Sequence, residues 1–317
     1  MAAAARRRRR PVPAGREVGR VTLATRGRER AALAAMVAAT LLWGGTFVAI
    51  RDTVAGMRPA TLVFLRFAVA AVLFSALALF RRRVPVRRDV LAGLGTGVFM
   101  LGGYFFQAEG LRTASAGSSA FLTCAGTLLA ALFAWPLLRQ RPTRVLAAGI
   151  ALALAGSALM SLREGLHMGR GEALTLVGAA IYALQIVALG RFAPTADLVV
   201  LTGAQAFMVA LVLAPFALDA GPVLHALRGD SLLRFAYLAI AGSTIAPLLQ
   251  VFAQRALPAG RIALLFALEP VFALIFALTL GAERFALRWW LGAMLILSAV
   301  VLVEWRAARS TDNQANR

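Results

Sequence analysis

Ten apolar runs constrain this chain more than any other feature. They fall at approximately residues 32–50, 60–80, 90–108, 115–138, 144–162, 172–190, 198–218, 232–253, 260–280 and 286–304. Each is close to the roughly 20 residues that a helix rising ~1.5 Å per residue needs to cross the hydrocarbon core of a bilayer. In that core each backbone N–H and C=O must be bonded within the protein, so runs of this length become helices. Their connections are short, so neighbouring runs form antiparallel hairpins and no soluble domain fits between two of them. With 60% hydrophobic residues and a mean hydropathy of +0.77, the 317-residue chain falls outside the range of ordinary soluble domains. The expected fold is an all-α polytopic membrane protein of ten transmembrane helices.

Charge sets the expected orientation. The formal net charge is +20 and every basic residue is Arg, with no Lys anywhere. Such arginine content can signal nucleic-acid binding, but here most arginines flank apolar spans, so topology explains them and no nucleic-acid partner is expected. Residues 1–31 hold the Arg run 6–10 with Arg16, Arg20, Arg26, Arg28 and Arg30, in a setting of Ala, Pro and Gly without an apolar face. This stretch reads as a disordered basic cytoplasmic arm that either meets anionic lipid headgroups or holds the N-terminus inside. With the N-terminus inside, Arg81, Arg82, Arg83, Arg87, Arg88, Arg139, Arg141 and Arg144 are also cytoplasmic, against Arg51, Arg58 and Arg112 outside. The second half carries no bias. Both termini, including a short tail at 305–317, are therefore expected in the cytoplasm, with the chain crossing a bacterial plasma (inner) membrane many times.

The halves repeat. At an offset of 143, Gln107 meets Gln250, Arg112 meets Arg255, Ala116-Gly117 meets Ala259-Gly260, Arg141 meets Arg284 and Gly149 meets Gly292. At an offset of 139, Trp43 meets Tyr182 and Arg66 meets Gln205. The repeats cover residues 32–162 and 172–304, five helices each. Five is odd, so the second unit enters the membrane from the side opposite the first, giving an inverted repeat. Such repeats build carriers whose site lies near the midplane between the halves.

Polar residues within the spans are the site candidates, because an amide or acid in hydrocarbon must face protein or water. Tyr104, Gln107, Tyr182, Gln185 and Gln250 qualify. Trp43 and Thr46 belong to Trp43-Gly44-Gly45-Thr46-Phe47, an aromatic beside two glycines, which serves either a cavity wall or close helix packing. Arg66 lies some way inside its span and could snorkel outwards or contribute to a cavity. Ser115, Ser118, Ser119 and Thr123 recur at helical spacing and could line a polar path or bond back to their own helix. Glu269 lies near mid-span and is followed by Pro270, which frees the carbonyl of Phe266 and favours a kink. The acid could exchange a proton, neutralise a cationic substrate or brace a neighbouring helix. Cys124 stands alone, so no intrachain disulfide can form, and His167 and His225 have no second ligand at metal spacing. No cofactor, metal or catalytic residue is expected.

Ala259, Leu268-Glu269-Pro270-Val271, Gly281-Ala282-Glu283-Arg284 and Gly292 together resemble the second repeat of EamA-type transporters of the drug/metabolite transporter superfamily. The resemblance extends over residues 32–303. It implies a secondary carrier for a small metabolite, amino acid or drug-like compound, working by alternating access as an exporter, with residues 43–47 beside the central cavity. Its partners would be that small-molecule substrate, the lipid bilayer and, for a coupled carrier, protons. A homodimer is open, since Gly149 and Gly156 on the fifth span could pack internally or against a second copy. Gln140 departs from the family pattern, which commonly has an acid at that loop in both repeats; there, as at Glu283, helix capping is the plainer reading over gating. The competing readings are an intramembrane lipid-modifying enzyme, which usually needs clustered ionisable groups that this chain lacks, and a membrane scaffold or sensor without transport.

Overall fold

The structure is a computed structural model that describes residues 14–54, 56–82, 84–161, 169–280 and 287–315. Within them the first repeat contains α1 (Ala14–Gly44), α2 (Thr46–Val54), α3 (Pro59–Phe80), α4 (Arg87–Gly110), α5 (Ala116–Leu138) and α6 (Arg144–Ser161). The second contains α7 (Arg170–Phe192), α8 (Leu198–Leu213), the short α9 (Ala220–Ala226), α10 (Gly229–Tyr237), a π-helical segment at Leu238–Ile245, α11 (Ala246–Ala253), α12 (Ala259–Phe266), α13 (Glu269–Leu280) and α14 (Leu287–Ala315). Among the described residues no strand occurs, and nine helical stretches are long and apolar enough to cross a membrane. The tenth expected span, in α6, is apolar but shorter.

Two boundaries differ from the sequence expectation. The arm was expected to be disordered through residue 31, yet α1 is helical from Ala14. Pro11 and Pro13 lie upstream, and the Ala, Arg, Glu and Leu that follow are good helix formers even without an apolar face. Likewise α14 runs through the expected tail to Ala315. Residues 1–13 and the Gly281-Ala282-Glu283-Arg284 loop lie outside the described residues, as does His167.

The helices pair across the halves. α4 lies along α7, α3 along α8 and α6 along α14, while α5 meets α7 and α12, and α1 meets α11, α12 and α13. Exchanging each helix for its counterpart in the other repeat maps this pattern onto itself: α4 with α7 becomes α11 with α1, and α5 with α7 becomes α12–α13 with α1. Small residues permit the close approaches, as membrane helices without a hydrophobic drive require. A Cβ on Gly97 would stand 2.8 Å from that of Met208, and one on Gly156 2.6 Å from the carbonyl of Gly292. Gly149 likewise faces Val303, so both small residues of the fifth span pack internally against α14.

Polar contacts tie the halves at both ends of the bundle. At one end Arg81 pairs with Asp197 at 3.1 Å, Asp197 N–H donates to Asp89 and Gln140 accepts from Ala259 N–H at 3.2 Å, while Arg261 pairs with Glu304 within the second repeat. At the other, Thr61 donates to Asp219 and Arg234 reaches Asp52 at 3.3 Å. Gln140 is therefore a cap, though for a helix of the other repeat.

Three irregularities gather on one side of the bundle. The first span breaks at Gly45, between α1 and α2. The π-helical segment interrupts α10–α11 ahead of Pro247. Between α12 and α13, Ala267 and Leu268 switch to bonds with Leu264 and Leu265, as the Glu269-Pro270 pair predicts. Their repeat counterparts α7, α4 and α5 have no such interruption.

Candidate functional site

A narrow cavity of about 30 Å³ lies where the irregular helices meet their unbroken counterparts. That is room for one or two waters. Of the nine sequence candidates, Trp43, Thr46, Tyr104, Gln107, Tyr182, Gln185, Gln250 and Glu269 line it. They come from α1, α2, α4, α7, α11 and α13, so both repeats contribute. Gln107 and Gln250, the repeat-related amides, open onto this same space.

Aromatic rings form one wall. Trp43 stacks on Phe266 at 5.3 Å, and Tyr104 meets Tyr182 edge-on at 5.4 Å. The Trp43 indole N–H donates to the Tyr104 hydroxyl at 2.9 Å and to the Gly242 carbonyl at 3.0 Å; the Tyr104 hydroxyl donates to that carbonyl at 3.1 Å. Gly242 belongs to the π-helical segment, so an irregular backbone supplies the acceptor that both rings need. Thr46 donates to the carbonyl of Trp43 at 2.7 Å across the break at Gly45.

Glutamines extend from another wall. Gln250 Nε2 donates to Gln185 Oε1 and to Gln254 Oε1, each at 3.1 Å. Gln185 Nε2 donates to Gln205 Oε1 at 3.1 Å, and Gln254 Nε2 to the Ile186 carbonyl at 2.7 Å. Gln107 instead donates to Thr123 at 3.2 Å. Glu269 is 4% exposed and makes no ion pair among the described residues.

Arg66 is the exception among the candidates. It neither snorkels nor lines the cavity: it is 0% exposed and stands behind the wall, its guanidinium 5.3 Å from the Tyr104 ring centre. The α3 helix is packed against the π-helical segment there, which leaves no route to an interface. The hydroxyl stripe on α5 also divides. Thr123 lines the cavity, Ser115 caps α5 by accepting from Ser118 N–H, and Ser119 lies 3.5 Å from Thr175. Glu109 pairs with Arg112 at 3.5 Å, away from the cavity.

Phe47, from the segment that the resemblance puts beside the cavity, completes the lining with Met100, Thr127 and Phe266, and these last three escaped sequence reasoning. In helices apolar on all sides, nothing in the sequence separates such residues from lipid-facing ones. Gln205 could have been found, because the desolvation cost that singles out Gln250 applies to it equally.

Comparison with known proteins agrees with this architecture. An uncharacterized transporter of Archaeoglobus fulgidus is 26% identical over 268 residues, 84% of this chain and 83% of its own length. The uncharacterized inner membrane transporter YedA of Escherichia coli K12 is 29% identical over 278 residues, 85% of this chain and 89% of its own. A solved crystal structure superposes with a TM-score of 0.69 at 22% identity, covering 88% of this chain and 98% of that one, which speaks for the fold. The EamA-like transporter family model matches twice, at residues 30–162 and 169–305, one match for each repeat. With two family-length repeats meeting at one cavity, this chain belongs to the EamA-like transporter family.

Proposed function

We propose that the chain is a ten-span secondary transporter of two inverted five-helix repeats, carrying a small solute out of the cell through the central cavity by alternating access. The carrying observation is that repeat-related amides, Gln107 from one half and Gln250 from the other, face one cavity that also holds Glu269. Rocking of related halves about a shared site is how inverted repeats generate alternating access. At about 30 Å³ the cavity is too small for a metabolite, which fits an occluded state between two open ones. The helix breaks at Gly45 and at Ala267-Leu268 are the joints at which it would widen. Both termini face the cytoplasm in this reading, as the arginine asymmetry of the first half requires.

Glu269 is the group through which coupling is tested. Glu269→Gln keeps shape and hydrogen bonding and removes titration. In proteoliposomes loaded with labelled amino acids, nucleosides and cationic drugs, a proton-coupling role predicts loss of net pH-driven flux with exchange retained. A substrate-charge role predicts loss of both. Equal fluxes for variant and parent across the pH range would leave Glu269 a structural residue. Chemical conversion of a compound without its movement would overturn the transporter reading itself.

A further inference from the structure

We infer that Arg66 is a concealed subsite for a carboxylate, reached when the Tyr104 ring moves aside, and that the transported solute is a small carboxylate-bearing compound. This rests on the transporter reading and narrows it. Arg66 is among the largest fully buried side chains of the protein. Its Nε donates to Ser243 Oγ at 2.9 Å and to the Leu238 carbonyl at 3.3 Å, but Nη1 and Nη2 have no hydrogen-bond partner among the described residues. Four N–H donors and a full positive charge are thus left without an anion. The five ion pairs found among the described residues do not include Arg66. The face of Tyr104 offers a cation–π contact, which is weaker than the cost of burying an unpaired ion. A buried cation left uncompensated by the described residues fits a partner that comes and goes.

The placement agrees. A Cβ on Gly242 would stand 3.1 Å from Arg66 Nη2 and 2.9 Å from Thr46 Cγ2. Thr46 and Tyr104 both line the cavity, so the free edge of the guanidinium is one side chain away from it. Tyr104 is held over Arg66 by exchangeable bonds to Trp43 and to the Gly242 carbonyl. The planar fork then matches a carboxylate in two parallel N–H···O bonds. A lipid phosphate presents similar oxygens, but zero exposure separates Arg66 from the bilayer and favours a small solute arriving through the cavity.

The test is binding, so it does not depend on flux. The full chain is purified in a nonionic detergent, and melting temperature is followed with benzoate and succinate against benzamide and succinamide at matched ionic strength. Parallel samples receive phosphatidylglycerol. The parent should be stabilised in a concentration-dependent way by a carboxylate and not by its amide. Arg66→Met should lose that shift and, freed of an unpaired charge, melt higher than the parent without ligand. Arg66→Lys keeps charge but not the fork, and should show a reduced shift; it stands in if the Met variant does not fold. Carboxylate effects that are absent, or equal in parent and variants, would overturn the subsite, as would a shift given by phosphatidylglycerol alone. Carboxylate-dependent stabilisation without flux would instead keep the subsite and sink the transporter.

Discussion

A glutamine amide left without partners is costly in a membrane core, and here four glutamines bond largely through one another, although Gln205 Nε2 has no partner among the described residues. Gln250 is the branch point, donating to Gln185 and Gln254. Gln250→Leu removes both donors and leaves two buried carbonyl oxygens unpaired, at a cost of about 1–3 kcal/mol for each orphaned group. Gln185→Leu breaks the same chain from the other side. The double variant should therefore cost less than the sum of the singles, by about 0.5–3 kcal/mol. Unfolding in detergent measures this; additive losses would mean that the amides act independently. The same physics explains what the sequence made legible. Gln107, Gln185, Gln250 and Glu269 stand out because hydrocarbon will not take them unpartnered. Arg66 followed that rule but was hidden behind Tyr104, and no one-dimensional pattern tells a residue in a cavity wall from the one behind it. Phe266 and Met100 were invisible for the opposite reason: they are apolar in helices that are apolar all round.

At the scale of elements, the apolar runs, the Glu269-Pro270 break and an irregularity at Pro247, where the π-helical segment ends, were readable, whereas the break at Gly45 depends on neighbours distant in sequence. Gly44 and Gly45 show the difference. A Cβ on Gly44 would lie 2.9 Å from the backbone nitrogen of Ala273, which cannot step aside without shifting α13. A Cβ on Gly45 meets the end of the Tyr237 side chain, which can turn at the loss of its 2.6 Å bond to the Leu42 carbonyl. Gly44→Ala should cost about 1–3 kcal/mol by overpacking, and Gly45→Ala less; the reverse order in melting temperature would contradict this packing. Asp197, at the start of α8, makes a pH prediction outside the membrane. Burial pushes its carboxyl up, but the N–H groups of Val200 and Val199 and the guanidinium of Arg81 outweigh that and hold it below its ordinary value. A depressed folded value contributes stability above the unfolded value, lost as pH falls through the folded one. Asp197→Asn keeps a capping acceptor but not the charge. The parent should be the more stable at neutral pH, and the gap should close in acid below the ordinary aspartate range. A gap independent of pH would remove the charge from the account.

For the whole molecule, the sequence disclosed two units and their hairpins but not which helices meet across them. Pairing of α3 with α8 and α6 with α14 depends on the fit of surfaces such as Gly156 against Gly292, and apolar helices offer many such fits. Inversion nonetheless makes a prediction that the pairing sharpens. Loops tied through Asp197 and Gln140 should share the cytoplasmic face, and those tied through Asp52 and Asp219 the outer one. Cys124, the sole cysteine, is fully buried and should give little background with an impermeant maleimide. Arg58→Cys and Arg141→Cys each place a thiol at an exposed position, one at each expected face. In intact spheroplasts the first should label at once and the second only after permeabilisation. Adding Arg228→Cys, in the loop before α10, should reproduce the behaviour of position 58. That match is the critical result. Position 58 follows the first span of its repeat and position 228 the second span of its own, so they share a face only if the two repeats enter the membrane from opposite sides. Labelling of position 228 only after permeabilisation, with position 58 open, would make the repeats parallel and end the inverted reading.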